Sequence, residues 1–332
     1  MGRSRGGERL APPEPGAPSD EALVRFTAHQ LPREDLHALM PRADGPALRR
    51  AALHLGVLAV AGMLLWRFRA TVWALPLLVA HGYVLAFVFC AFHETAHRTA
   101  FRTRWLNAVL GTLAGLLVFW PYRNYRVYHW EHHRFTQDEA RDPELYFPKP
   151  ASLGAYLLVL TGVPNLARRL LDMLRLASGR ADRPWMAPPE RGPLIVEARV
   201  YVAVYVAIVL ISLWAASPLA LVVWIAPFLI GQAFLRPYLL AEHTGCAFTR
   251  DCLENTRTTR TLAVVRLFAW NMPYHAEHHA FPAVPFHALP RLHAHVRARL
   301  ANLEPGYVAA TVKVNRYLFG DGRGIGGRGP LR

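Results

Sequence analysis

Cysteine and lysine are scarce in this sequence. Its 332 residues include three cysteines (Cys90, Cys246 and Cys252) and no CxxC pair, which argues against a disulfide framework or a four-cysteine metal site. Lysine occurs only at Lys149 and Lys313, so arginine carries almost all of the net charge of +15. Signatures for a flavin, a nicotinamide, an iron–sulfur cluster or a phosphate-binding loop are also lacking. Electrons for any redox reaction must therefore come from a separate donor.

Apolar residues, in contrast, are abundant. They make up 53% of the chain, and the mean hydropathy is +0.14. This composition favours a membrane bundle that carries a polar cap. A basic chain could bind nucleic acid, but its arginines lie between the apolar runs rather than in one patch. Loops that face anionic membrane lipids have that distribution, so we expect no nucleic-acid partner.

The two ends of the chain differ from its centre. The N-terminal stretch lacks the apolar core of a signal peptide, so we expect the first membrane helix to act as its own insertion signal. Residues 1–20 and the tail from about residue 320 are predicted to be disordered, because they cannot bury enough apolar surface. Between them we expect an amphipathic cytoplasmic segment over 21–50, a membrane domain over 51–300 and a C-terminal segment over 301–332.

Four apolar runs are long enough to approach the roughly 20 residues that a membrane span requires. None of them contains a charged residue, and short turns join them in pairs. The fold class predicted is therefore an all-α integral membrane protein with two transmembrane helical hairpins, interfacial helices and a cytoplasmic helical cap. The predicted spans are 51–66, 72–91, 200–216 and 218–234.

Two further apolar runs, 105–120 and 153–163, are ambiguous, and the second is the shorter. Histidine clusters lie on both sides of the first run, and they could not share one site if that run crossed the membrane. We therefore expect 105–120 to be re-entrant or interfacial, with a tryptophan at each end at the level of the lipid headgroups.

Arginine and lysine also predict the orientation. Residues 1–50 hold 8 of them, residues 92–195 hold 14 and residues 236–332 hold 13, whereas the two turns within the hairpins hold only Arg67 and Arg69. The positive-inside rule therefore places all three polar blocks on the cytoplasmic side.

Three histidine clusters have metal-ligand spacing. They are His93–His97 (HETAH), His129–His133 (HWEHH) and His275–His279 (HAEHH). On a helix, positions i, i+3 and i+4 share a face, so each cluster is expected to direct its imidazoles to one point. Neutral imidazole binds iron, zinc or copper. The eight histidines exceed the capacity of one ion but would suit two ions with four ligands each.

These clusters resemble the three histidine boxes of the membrane fatty acid desaturase superfamily, and the resemblance covers roughly residues 50–300. It extends to the text around the boxes, such as HETAHRTAF and NMPYHAEHHAFPAVPFHALPRLH, which is similar to that of bacterial members. The resemblance implies a di-iron centre held by the box histidines. It also implies one more histidine between the second hairpin and the third box, where His243 stands. The implied ligands are His93, His97, His129, His132, His133, His243, His275, His278 and His279.

Metal-bound histidines usually donate their second ring N–H to a carboxylate or carbonyl group, which orients the ring. Four polar residues close to the boxes are candidates for supporting the metal centre in this way or, for the asparagine, by holding a metal-bound water. They are Asp138, Asp142, Glu242 and Asn271.

The chemistry of a methylene group limits the reaction. No side chain removes hydrogen from it at neutral pH, so a redox metal is required. Loss of two adjacent hydrogens gives a double bond, whereas transfer of hydroxyl to the carbon gives an alcohol. We expect an acyl-lipid desaturase that uses two iron ions, dioxygen and electrons from a ferredoxin or cytochrome. The alternative is a hydroxylase or ketolase of the same superfamily acting on fatty acid, alkane or carotenoid, because the boxes do not encode the outcome.

The resemblance to bacterial members implies the inner membrane of a bacterium, with a lipid-like substrate that enters beside the spans. A histidine-rich metal transporter or haem-binding membrane protein is an alternative from another class. A transporter should carry polar ligands within its spans, whereas the clusters here are predicted just outside them.

Overall fold

The computed structural model describes residues 31–320, which are mostly helical. The predicted tails over 1–20 and beyond Gly320, and the first part of the 21–50 segment, lie outside the described residues. The helices are α1 (Arg33–Leu39), α2 (Asp44–Phe68), α3 (Ala74–Ala86), α4 (Val88–Ala96), α5 (Arg104–Leu117), α6 (Tyr122–Phe135), α7 (Leu153–Leu160), α8 (Val163–Ala177), α9 (Pro188–Trp214), α10 (Ala226–His243), α11 (Cys252–Asn255), α12 (Ala263–Phe268), α13 (His275–Ala280), α14 (Leu289–Val296) and α15 (Tyr307–Phe319).

Three shorter kinds of element complete the description. A π-helical turn, Leu221–Ile225, leads directly into α10, and a 3-10 turn, Arg297–Arg299, follows α14. Strands β1 (Thr258–Thr259) and β2 (Leu303–Glu304) pair in parallel. This short ladder connects the loop after α11 to the segment before α15.

Four helical segments are long and apolar enough to cross a membrane, as the sequence predicted. Apolar side chains such as Met63 and Leu213 are exposed along the first and third of them, as expected for surfaces that face lipid. Each segment is longer than its predicted run, because helix continues into the flanking polar residues. The four segments are Asp44–Phe68, Ala74–Ala96, Pro188–Trp214 and Leu221–His243.

This extra length corrects one expectation about the histidines. The clusters were predicted just outside the spans, but His93 lies in the last turn of the second segment and His243 is the last residue of the fourth. Two of the four regions that carry the histidines are therefore direct continuations of candidate membrane helices. Because those helices are rigid, they fix the backbone positions from which the imidazole rings of His93 and His243 project.

Close packing between α3 and α10 brings those two helix ends together. A Cβ atom on Gly231 would lie 2.1 Å from the carbonyl oxygen of Gly82, and one on Gly82 would lie 2.7 Å from that of Pro227. Only glycine allows two helix backbones to approach this closely, a common device in membrane bundles.

The run predicted to be re-entrant forms α5 and most of the turn that leads into α6, and these two helices are bent by 99°. The bend is built from Phe119, whose φ is +59°, and from Pro121, after which α6 begins. His97 before this segment and His129 after it lie 2.8 Å apart, Nε2 to Nε2. The chain therefore returns to its starting point, which supports the re-entrant interpretation.

The tryptophans at the ends of that run behave differently from each other. Trp105 is 64% exposed, as an interfacial anchor would be. Trp120, in contrast, is half-buried and packs against Tyr125 and Tyr128, with ring centroids 4.8 and 5.1 Å away. The position of both tryptophans at the level of the lipid headgroups stays a prediction.

The run at 153–163 forms α7 and the connection to α8, and neither helix is among the candidate spans. Gly162 joins the two helices with a φ of +73°, and a Cβ atom there would lie 2.1 Å from Cγ of Gln232. This turn therefore packs directly against α10, which α7 also contacts.

Candidate metal centre

All nine histidines predicted as ligands lie together at one end of the helical bundle. Helix α4 and the residue after it provide the first box, α6 the second and α13 the third, while α10 provides His243. The imidazoles are buried except for His133, which is half-buried. Their Nε2 atoms face one another and divide into two adjacent groups.

The first group has five members. The facing Nε2 atoms are separated by 2.8 to 3.1 Å. Two nitrogens at right angles, each about 2.1 Å from a metal ion, would lie about 3 Å apart, so this spacing fits ligands around one ion. The members are His93, His97, His129, His133 and His278.

The second group contains His132, His243 and His279, whose ring nitrogens lie within 4.8 Å of one another. His275 joins them, because its Nε2 lies 3.2 Å from Nε2 of His243. The two groups touch where the rings of His133 and His279 stack with centroids 3.9 Å apart. Two ions could therefore lie side by side, with five and four imidazoles.

Each HxxHH box divides between the two groups, which corrects the expectation that a box points to one ion. His129 and His133 belong to the first group, while His132 belongs to the second. Neighbouring residues on an α-helix point about 100° apart, so positions i+3 and i+4 cannot aim at the same atom. The i and i+4 rings can, and the i+3 ring turns to the other side.

The third box follows the same rule with the groups exchanged. His278, at i+3, joins the first group, whereas His275 and His279, at i and i+4, face the second. Helices α6 and α13 therefore each contribute to both groups.

Two polar side chains orient rings of the second group. The Nδ1–H of His132 donates to Asp142 at 2.9 Å, as the sequence suggested for that aspartate. The Nδ1 of His279 lies 3.1 Å from the hydroxyl of Thr136, which itself donates to the carbonyl oxygen of His132. Thr136 was not predicted, although its position four residues after His132 places it on the same helix face.

Two carboxylates lie at longer range. Glu242 is 3.6 Å from Nδ1 of His275, in keeping with its predicted supporting position. Glu94, inside the first box, is fully buried and lies 3.8 Å from Nδ1 of His278. A carboxyl group therefore lies beside one ring nitrogen of His275 and one of His278, on the side of each ring that does not face the groups.

Two of the predicted supporting residues lie elsewhere. Asp138 forms an ion pair with Arg141, with a nitrogen–oxygen distance of 2.5 Å, and is partly exposed. The amide of Asn271 donates to the carbonyl oxygen of Phe286 at 3.0 Å. Neither contacts a histidine; a sequence offset places a residue near a box but does not fix the direction of its side chain.

Burial, followed by repulsion from neighbouring rings, lowers the pKa of His97, His129 and His133 well below the ordinary value. Neutral imidazoles keep a lone pair that a metal ion can use. His132 is the exception: burial lowers its pKa, but Asp142 and Glu144 outweigh this and raise it to about 9. A cation at Nε2 of His132 would take the place of that proton.

A cavity of about 250 Å³ leads to the histidines from the side of α8. It contacts one or more rings of each group, and its other walls include Trp120, Tyr125 and Tyr128. Within the described residues, a molecule that approaches the metal centre from the side of α8 passes aromatic and charged side chains.

Comparison with known proteins identifies the class. A family model described as fatty acid desaturase matches residues 70–311, which include every histidine of both groups. The chain belongs to the fatty acid desaturase family. Membership in this family also weighs against a metal transporter. The argument from the sequence against a transporter required the clusters to lie outside the spans, and this does not hold for His93 and His243.

Individual relatives agree with this assignment. An sn-1 oleoyl-lipid 12-desaturase of Picosynechococcus is 29% identical over 42% of this chain and 41% of the relative. A sphingolipid delta(4)-desaturase of Komagataella phaffii is 28% identical over 61% of this chain and 56% of the relative. A sphingolipid delta(4)-desaturase/C4-monooxygenase of Homo sapiens is 26% identical over 81% of this chain and 77% of the relative. The matches thus span about half the length of the first two relatives.

Proposed function

We propose that this protein is a membrane di-iron desaturase that introduces a double bond into an acyl lipid, using dioxygen and electrons from a separate donor such as a ferredoxin or cytochrome. One observation carries the proposal: nine imidazoles from four helices form two touching groups with metal-ligand spacing. Buried histidines that serve only to fill a core do not face one another through their lone-pair nitrogens.

The two groups would hold one ion each. Imidazole suits iron, zinc and copper alike, so the choice of iron rests on the chemistry of the family rather than on the ligand set. When bound, the irons supply the activation of dioxygen that oxidation of a methylene requires.

The protein's own residues would orient the rings and exclude water. Asp142 and Thr136 hold the rings of His132 and His279, which keeps Nε2 of each ring directed at the ion. The rings of Phe89 and Tyr125 pack beside His93, and Phe92 stacks on Tyr125. These rings would shield the first group from solvent. A dry pocket prevents side reactions of a reactive centre with water.

The membrane arrangement follows from charge. We place the histidine end of the bundle on the cytoplasmic side of a bacterial inner membrane, because the described parts of the arginine-rich blocks flank the span ends nearest the histidines, and the two hairpin turns carry only two positive residues. The lipid substrate would then reach the centre from the membrane.

Hydroxylation is the second candidate. The human relative is named both as a desaturase and as a C4-monooxygenase, so one member of this family combines the two outcomes. A ketolase acting on a carotenoid would use the same ligand set.

Lipid and carotenoid profiling of a bacterial host that expresses the chain tests the proposal. We expect a new double bond in acyl chains, and its loss in a His278→Ala variant. A hydroxyl or keto group instead would select the second candidate. Purified protein should contain about two iron ions per chain, and a single stable zinc ion would reject the di-iron assignment.

A further inference from the structure

The cavity beside the histidines has an unusual charge balance. Its walls include seven cationic side chains, Lys149, Arg168, Arg169, Arg175, Arg180, Arg183 and Arg236, against four carboxylates, Asp142, Glu144, Asp172 and Glu242. The carboxylates already have other partners. Asp142 and Glu144 lie beside His132, Glu242 lies beside His275, and Asp172 pairs with Arg183. A surplus of positive charge therefore remains on the wall opposite the metal centre.

Two of these cations are buried. Arg169 on α8 and Arg236 on α10 are each only 9% exposed, and within residues 31–320 neither forms an ion pair with a carboxylate. Desolvating a guanidinium without a negative partner is costly. Buried charged side chains are usually paired with an opposite charge, so these two arginines need an explanation.

Arg236 has bonding capacity to spare. Its Nε donates to Oε1 of Gln232 at 2.8 Å, whereas its Nη2 is buried with no hydrogen-bond partner. The turn at Gly162 presses against Gln232 and so fixes the amide that orients the guanidinium. The packing thus holds Arg236 in place and leaves one end of its fork unused on the cavity wall.

Arg169 is held in a similar way. Its Nη1 donates to the carbonyl oxygen of Val118 at 2.7 Å, and its guanidinium lies 4.5 Å from the ring centroid of Trp120. Burial, and then the nearby Arg168, lower the pKa of Arg169 to about 10, so it still carries its charge at neutral pH. Two fixed cations from different helices therefore line one cavity with the histidines.

We propose that Arg169 and Arg236 bind an anionic group, a phosphate or a carboxylate, at the head of the acyl lipid on which the histidine centre acts. This inference rests on the proposed function and names its substrate class. Guanidinium binds such groups through paired N–H donors, and the cavity continues from the arginines to His93, His243 and His275. An uncharged lipid would leave both cations unpaired.

Equilibrium binding tests this assignment. The ligands are radiolabelled hexadecyl phosphate, palmitate and hexadecanol, which share one chain and differ at the head, added to purified full-length, metal-loaded protein in a neutral detergent. We expect the anionic ligands to bind about 10-fold more tightly than hexadecanol or better, as charge-assisted hydrogen bonds allow. The stronger of the two identifies the headgroup as phosphate or carboxylate.

Three variants locate the effect. Arg236→Gln and Arg169→Gln should each reduce the preference for the anionic ligands several-fold, and Arg236→Lys should retain part of it. Arg104→Gln is the matched control, because it removes the same charge from an exposed position on α5 outside the cavity. It should leave the preference unchanged. If a glutamine variant does not fold, the inference is decided by the binding of the three ligands to the wild-type protein and to Arg236→Lys.

Equal binding of hexadecanol and the anionic ligands by the wild-type protein would overturn the inference. A preference that persists in both glutamine variants would also overturn it. Displacement of hexadecyl phosphate by inorganic phosphate with equal affinity would overturn it as well, because that result indicates a site for a soluble anion. Iron content and turnover measured on the same preparation separate the two proposals. An iron-loaded, active protein without anion preference rejects only this inference, and a metal-free one that binds hexadecyl phosphate rejects only the di-iron function.

Discussion

At the scale of single residues, Asp142 connects the second histidine group to the backbone around it. One carboxylate oxygen accepts from Nδ1 of His132 at 2.9 Å, and the other accepts from the backbone N–H of Gln137 at 2.8 Å. The negative charge raises the basicity of the ring, and the hydrogen bond fixes its direction.

Replacing Asp142 with asparagine keeps the size of the side chain and removes the charge. We expect iron affinity at the second group to fall about 10- to 100-fold, as for other losses of a group that supports a metal ligand. Iron per chain, measured by mass spectrometry across a range of free iron concentrations, reports this change.

Asp138→Asn is the matched control. Asp138 lies four residues earlier but pairs with Arg141 at the surface, so its substitution should leave iron binding unchanged. If the two variants lose iron equally, the contact between Asp142 and His132 is not what supports the metal centre.

Single residues of the second box also separate the two groups. His129 lies in the first group and His132 in the second, so His129→Ala and His132→Ala should each remove one ion and leave about one iron per chain. Mössbauer spectra of the two variants should then report different remaining sites. Loss of both ions in each variant would contradict the prediction that the two groups bind their ions independently.

At the scale of elements, the approach of α3 to α10 determines whether the first box and His243 meet. Gly231 is the tightest point, because a Cβ atom there would lie 2.1 Å from the carbonyl oxygen of Gly82. A backbone cannot yield as a flexible side chain can, so any added atom must push the two helices apart.

Gly231→Ala should therefore destabilise the bundle by about 1–3 kcal/mol, the usual cost of overpacking. The midpoint of thermal unfolding in detergent should fall, and iron content should fall with it because α10 carries His243.

Gly56→Ala provides the comparison. Gly56 lies in the middle of α2 with nothing within 4 Å of the added Cβ atom, and alanine favours helix over glycine. We expect equal or slightly higher stability. A similar loss in both variants would mean that the contact between α3 and α10 does not cause the effect.

At the scale of the whole molecule, the second and fourth candidate spans both end at the histidine site, so these two run in the same direction. The turns after the first and third spans then lie at the opposite end of the bundle. The positive residues, 8, 14 and 13 in the three long blocks against 2 in the turns, favour the histidine end as the cytoplasmic one.

Reporter fusions test this orientation. We expect an alkaline phosphatase reporter, which is active only outside the cytoplasm, to be active after Ala70 or Ala216 and inactive after Arg180 or Arg299. The reverse pattern at all four positions would mean that the histidine end lies outside the cytoplasm. A mixed pattern would contradict the arrangement as two hairpins.

Local properties of the sequence determined much of this protein. Apolar runs free of charge predicted four spans, because burial in lipid depends on the side chains of one segment alone. The spacing of the three boxes, together with the resemblance to desaturases, predicted the nine histidines that lie together and the family to which the chain belongs. Helix periodicity predicted that the rings of a box point to one site, and this holds only for the i and i+4 rings of each HxxHH box.

The tertiary structure decided what depends on two distant segments at once. The division of each box between two groups depends on how α6 and α13 face each other, and the meeting of Arg169 with Arg236 around one cavity depends on the turn at Gly162. In the sequence Asp138 is nearer than Asp142 to the second box, but only Asp142 turns toward it. Side-chain direction is set by packing between elements, which no local pattern records.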